Sequence, residues 1–152
     1  MSKLKVGVLG CGAISKAYLA TLTAEFTDRV EVTAVADVIE ASAKARAEEF
    51  KVARVLTPDQ LYADKDVQLI ANLTPAPIHY ATTKAALTAG KHVYSEKPLA
   101  LTMEQGRELV TLAMTNKLRL TVAPDTLLGG GVQTARKLIE DGTVGTVVAA
   151  YG

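Results

Sequence analysis

The chain of 152 residues has no tryptophan and only 5% aromatic residues. So thin a set argues against a nucleic-acid platform, which stacks bases on exposed rings. An excess of one charge is missing too. Seventeen basic residues against 16 acidic leave a formal +1, which offers no patch for phosphate backbones or anionic membranes. Cysteine occurs once, at Cys11; this excludes an intrachain disulfide and suits a reducing, cytoplasmic setting. No apolar run approaches the roughly 20 residues that span a bilayer. Met1 to Val6 leads into a strand pattern with no signal-peptide core. His, Cys, Asp and Glu nowhere fall at metal-ligand spacing, so no metal is expected.

What remains is the composition of a globular domain, 49% hydrophobic and 22% charged, long enough to bury a core of its own. Apolar runs at 4–10, 30–36, 52–56, 67–73, 91–95 and 118–123 read as strands buried on both faces, which suits a parallel sheet covered on both sides. Helical patterns alternate with them. Ile14, Tyr18, Leu22 and Phe26 recur every fourth residue and predict one stripe packed on the sheet. Glu40 to Phe50 is rich in good helix formers. Thr57-Pro58 opens a short helix, Ile78 to Ala89 closes on Gly90, and Thr102 with Gln105 forms a capping box for a helix reaching about Lys117. Alternating strands and helices with right-handed crossovers predict an α/β fold, a doubly wound parallel sheet of six strands in the order 3-2-1-4-5-6.

In such a sheet ligands sit beyond the carboxyl ends of the strands. Gly10-Cys11-Gly12-Ala13-Ile14-Ser15 lies between the first strand and its helix, as a dinucleotide loop does. Gly10 would permit the tight turn and Gly12 the approach of a pyrophosphate to the helix N-terminus. The third position is Ser15, small but neither Gly nor Ala. Asp37, 25 residues after Gly12, ends the second strand. Its carboxylate would accept ribose hydroxyls and repel a 2′-phosphate, which favours NAD over NADP. Asn72-Leu73-Thr74-Pro75 ends the fourth strand, with His79 just beyond as either a ligand contact or a capping residue. Asn72-Leu73-Thr74 also fits the glycosylation pattern, which a buried strand makes a false positive. Glu96-Lys97-Pro98 ends the fifth strand, on the same edge. An amine there can give a hydrogen bond or a proton to a substrate hydroxyl, with Glu96 placed to position it. Cys11 reads as a small residue rather than a reactive thiol, and His92 as structural.

Together the glycine loop, Asp37, the stretch from Thr74-Pro75 to His79, and Ala89 to Pro98 resemble the Gfo/Idh/MocA family, the glucose–fructose oxidoreductase and inositol dehydrogenase group. Leu138 to Gly145 is similar to that family's hinge. The resemblance covers essentially the whole chain. It implies a Rossmann-type domain and oxidation of an alcohol by NAD, or less favourably NADP, with a small polyol or sugar as substrate and no nucleic-acid or membrane partner. It implies a catalytic Lys97, cofactor contacts from Gly10, Gly12, Ala13, Ile14, Asp37, Leu73, Thr74, Pro75, His79, Glu96 and Lys97, and a cis Lys97–Pro98 bond. After strand six the family more usually carries an Arg and an aromatic. The present run Ala123-Pro124-Asp125-Thr126-Leu127-Leu128-Gly129-Gly130-Gly131 is similar to a subgroup and leaves the substrate open.

Family members are longer, with a second α/β domain that supplies an Asp/His pair and a sheet for oligomers. On this reading residues 1–142 are the dinucleotide-binding domain and 143–152 begin a linker or strand of a domain outside the sequence. Such a chain is expected to bind cofactor with little or no turnover; a non-catalytic NAD(H)-binding or sensing module is the alternative. Val144, Val147, Val148 and Tyr151 would form an unpaired apolar strand, which invites a homo-oligomer.

Overall fold

A computed structural model describes residues 2–123, 125–149 and 151. Pro124 of the post-strand-six run, and Ala150 and Gly152 of the tail, lie outside the described residues. Six strands form one parallel sheet: β1 (Leu4–Leu9), β2 (Val30–Ala36), β3 (Val55–Leu56), β4 (Leu69–Asn72), β5 (His92–Glu96) and β6 (Leu120–Ala123). Their order is β3-β2-β1-β4-β5-β6, as the alternating pattern predicts. Six helices accompany them: α1 (Ala13–Ala24), α2 (Glu40–Phe50), α3 (Pro58–Ala63), α4 (His79–Thr88), α5 (Met103–Thr115) and α6 (Gly130–Glu140). A short 3₁₀ turn at Ala76–Ile78 leads into α4.

Four strands, β3, β4, β5 and β6, begin later than their apolar runs, and for β3, β5 and β6 the reason is shared. Lys51, Gly90 and Lys117 adopt positive φ (55°, 77° and 55°) just past α2, α4 and α5. The next residue then donates its N–H back five residues: Val52 to Ala47, Lys91 to Ala86, Leu118 to Ala113, at 2.8–3.0 Å. This is the closing bond of a Schellman motif, whose last residue makes an apolar contact with the helix it ends. Val52 is accordingly buried in the core, but it caps α2 instead of extending β3.

The core has two layers. Leu61 of α3, Leu87 of α4 and Leu109 of α5 pack with Leu9, Ile70 and Val93 on one face of the sheet. Leu19 of α1 and Ala43 and Ala47 of α2 pack with Val8, Val35 and Ala71 on the other. The second face is covered unequally, because α1 and α2 lie against the β1–β3 half. The stripe Ile14, Tyr18, Leu22 and Phe26 packs on the sheet only in part: Tyr18 lies against the core and Leu22 is half-buried, while Ile14 and Phe26 are exposed. Ser15 and Leu19 are the buried positions of α1, while the stripe lines an apolar groove of about 560 Å³ that continues over Leu69, Ala71 and Tyr94. The spacing identifies an apolar flank of the helix, and Ser15 makes the contact face look polar.

Described residues 143–149 and 151 form turns and irregular chain, without the strand pairing that the tail's composition suggests. Val147, Val148 and Tyr151 are exposed, as are Val132, Leu138 and Ile139 of α6. Among the described residues no helix is long and apolar enough to cross a membrane, and no group of His, Cys, Asp or Glu could hold a metal ion.

Candidate functional site

The register of the sheet assembles the site. Leu56, Ala36, Leu9, Asn72, Ser95 and Val122 form one row across all six strands. Motif residues follow that row by one to three positions at the carboxyl edge. Gly10 follows Leu9, Asp37 follows Ala36, Leu73 to Pro75 follow Asn72, and Glu96 and Lys97 follow Ser95. A parallel sheet is what makes this possible, since every strand then ends on the same side.

Gly10 has φ +95°, and a Cβ there would stand 2.7 Å from the backbone of Leu73. The glycine therefore lets the loop after β4 close on the loop after β1. Gly12 shows the complementary property. Nothing lies within 4 Å of where its Cβ would be, and Gly12, Ala13 and Ile14 are exposed at the start of α1. Ser15 at the third position is fully buried and donates its hydroxyl to Gly12 O at 2.6 Å. Arg46 of α2 donates to Ser15 Oγ at 3.0 Å and to Gly12 O at 3.4 Å. The departure from Gly or Ala thus adds a polar clamp under the loop.

Asp37 is tied to that loop. Its Oδ2 accepts the Cys11 N–H at 2.7 Å and its Oδ1 the Ile39 N–H at 2.8 Å, and each oxygen retains a further lone pair. Val38, 85% exposed, stands beside it. Burial, and then the Asp37 charge, push the Cys11 thiol up to about 11, so the thiolate is scarce at neutral pH and the reading of Cys11 as a small packing residue fits.

On the β4 side, the fully buried Asn72 accepts from the Thr74 hydroxyl at 2.7 Å and donates to Thr82 and Thr83 at 2.8 and 3.0 Å. Leu73 is buried, Thr74 half-buried and Pro75 exposed. His79 closes the 3₁₀ turn, its backbone N–H donating to Ala76 O, and its side chain is 1% exposed, with Nδ1 at 2.6 Å from Pro98 O and Nε2 at 2.5 Å from Thr74 O.

On the β5 side the Lys97–Pro98 bond is cis and Lys97 is exposed. Glu96 does not engage the ammonium. Its Oε2 accepts the Lys97 backbone N–H at 3.0 Å and its Oε1 the Tyr18 hydroxyl at 2.7 Å. Tyr18 also meets Tyr94 edge-on, with ring centroids 6.0 Å apart. Burial, followed by the Glu96 hydrogen bond, pushes the Tyr18 hydroxyl well above the usual phenol range. Ile14 and Glu96 reach the rim of the apolar groove, whereas Gly10, Gly12, Asp37 and Lys97 lie outside it. Tyr18 and Arg46 are neighbours of the motif residues that the sequence alone does not reveal. Tyr18 is masked by its place in an apolar stripe, and Arg46 by a helix whose composition is that of a solvated surface.

Fold and edge geometry define a dinucleotide-binding α/β domain. Residues 4–124 match the family model for the oxidoreductase family with an NAD-binding Rossmann fold, Gfo/Idh/MocA, and the chain belongs to that family. Among relatives, an uncharacterized oxidoreductase, C26H5.09c of Schizosaccharomyces pombe, is 34% identical over 97% of this chain and 41% of its own length. An inositol 2-dehydrogenase/D-chiro-inositol 3-dehydrogenase of Lacticaseibacillus casei is 30% identical over 93% of this chain and 42% of its own. The crystal structure of GenD2 from gentamicin A biosynthesis, in complex with NAD, superposes with a TM-score of 0.89 at 28% identity, covering 97% of this chain and 42% of that one. The chain thus spans about two fifths of the length of the curated relatives it matches.

Proposed function

We propose that this chain is the NAD-binding part of a cytoplasmic oxidoreductase acting on the carbinol carbon of a sugar, cyclitol or related polyol. The observation that carries the reading is the row across the sheet, which brings an open glycine loop, a carboxylate and an exposed lysine to one edge. Space at Gly12 and the exposed first turn of α1 suit a pyrophosphate held by backbone N–H groups. Asp37 would take the adenosine ribose hydroxyls through its spare lone pairs. Its negative charge, with Val38 rather than a cation beside it, favours NAD over NADP.

Bound NAD would supply the hydride acceptor. This chain's own residues would bind and orient the reactants, and the hydroxyl proton would pass to a base from the second domain that the relatives' greater length implies. Leu73, Thr74 and Pro75 would form the wall facing the glycine loop. Lys97 would hold the substrate hydroxyl by donating a hydrogen bond, and its exposure leaves the amine able to swing toward an incoming group. Glu96 would fix the start of that turn through the Lys97 N–H and hand its second oxygen to Tyr18. The dehydrogenase relative that uses inositol supports the polyol class.

Fluorescence titration with NADH tests the cofactor assignment, and absence of binding at millimolar NADH overturns it. Polyol-dependent production of NADH by the chain would exclude the non-catalytic, sensing alternative. Binding with little or no turnover is the expected outcome for the chain as it stands.

A further inference from the structure

The buried imidazole of His79 joins two loops that nothing else on the backbone joins. Thr74 belongs to the loop after β4, and Pro98 to the turn directly after Lys97. Past the ends of these strands no backbone hydrogen bond between described residues links the two loops. His79 stands between them with one ring nitrogen at each carbonyl, 2.5 Å from Thr74 O and 2.6 Å from Pro98 O. A neutral imidazole donates from one nitrogen, and a ring protonated on both donates from both. Both partners are carbonyl oxygens that can only accept, so a neutral ring holds one loop by its single N–H, and the ring that donates from both nitrogens ties the two loops together.

We propose that His79 is a positioning residue that sets the separation between the Thr74–Pro75 wall and the Lys97 turn. The meaning of that separation rests on the proposed function, in which the first loop borders the cofactor and the second carries the substrate-facing amine. The geometry itself does not. A residue that only filled space would have no need of two acceptors at hydrogen-bond distance, and a ligand contact would need an open ring edge. His79 has the acceptors and lacks the open edge.

Side-chain amides separate the two arms. The amide nitrogen of Asn overlays Nδ1 and keeps the donor to Pro98 O, whereas that of Gln overlays Nε2 and keeps the donor to Thr74 O. His79→Asn, His79→Gln and the space-filling His79→Leu are compared by backbone amide NMR without cofactor, and then by NADH titration. The Asn variant is expected to leave the Lys97 amide signal in place and move that of Thr74. The Gln variant should do the reverse, and the Leu variant should move both. NADH affinity should fall about fivefold in the Asn and Leu variants and stay within about twofold in the Gln variant, the scale of one lost hydrogen bond. If all three variants move the same signals equally, with equal affinities, His79 is only packing and the proposal fails. Should the variants not fold, the wild-type ring decides. Ring N–H protons protected from exchange and coupled to the Thr74 or Pro98 carbonyl support the proposal, and ring protons exchanging at solvent rate overturn it. A wild-type chain that binds no NADH would overturn the proposed function, while the amide pattern would still decide the role of His79.

Discussion

At the scale of single residues, Asp37 and Gly10 carry the most. Asp37 holds the glycine loop from one side and, in the proposed function, would take a ribose on the other. Asp37→Ala should therefore weaken NADH by about tenfold to a hundredfold, the range for hydrogen bonds to a charged group. NADPH, weak with the wild-type chain, should gain relative to NADH. Affinity unchanged within about twofold in a fluorescence titration would remove Asp37 from the site. Gly10→Ala forces a side chain into the Leu73 backbone at positive φ and should cost about 1–3 kcal/mol, the scale of overpacking, read as a lower melting temperature. Cys11 gives a pH signature. Burial, and then Asp37, raise its folded value from 9.0 to about 11. Between those values the unfolded chain ionises its thiol and the folded chain does not, so the unfolded state binds fewer protons and stability falls as pH rises. Wild type should lose more melting temperature from pH 9 to about 11 than Cys11→Ala does. Below pH 9 the two should run parallel.

At the scale of elements, α1 separates what the sequence could reveal from what it could not. The alternation of strands and helices, the strand order and the loop positions are all legible, because period and turn chemistry are local. The face that α1 turns to the sheet is not. A hydrophobic stripe reports an apolar flank, but burial of Ser15 depends on Gly12 O and Arg46, 3 residues away on one side and 31 on the other. The test compares two truncations of large apolar side chains to alanine. Leu19→Ala, at a fully buried position, should cost about 2–5 kcal/mol. Phe26→Ala, at a position 41% exposed, should cost far less by chemical denaturation. Equal costs would mean that the stripe packs as its spacing suggests. The late starts of β3 and β6 have a similar origin, since the residues that close the helices before them, Val52 and Leu118, are apolar like the strands that follow.

At the scale of the whole molecule, the site is a property of the sheet's edge and not of any one motif. That is why its outline could be read from the order of the strands, while the partners of Glu96, His79 and Arg46 could not: those contacts join residues 78, 19 and 31 positions apart. The same view exposes apolar surface without a partner, in the groove beside α1, along α6 and in the tail. Surface of that kind favours association, and we expect light scattering to detect dimers or larger species as concentration rises; a monomer throughout would contradict this. The central claim is that one edge of the sheet binds NAD. Backbone amide NMR during titration with NADH tests it most directly. The account predicts shifts gathered at residues 10–14, 37–39, 73–74 and 96–97, with the far ends of the strands unmoved. Shifts confined to the lower groove around Leu4, Phe26 and Val30, or none at millimolar NADH, would contradict it.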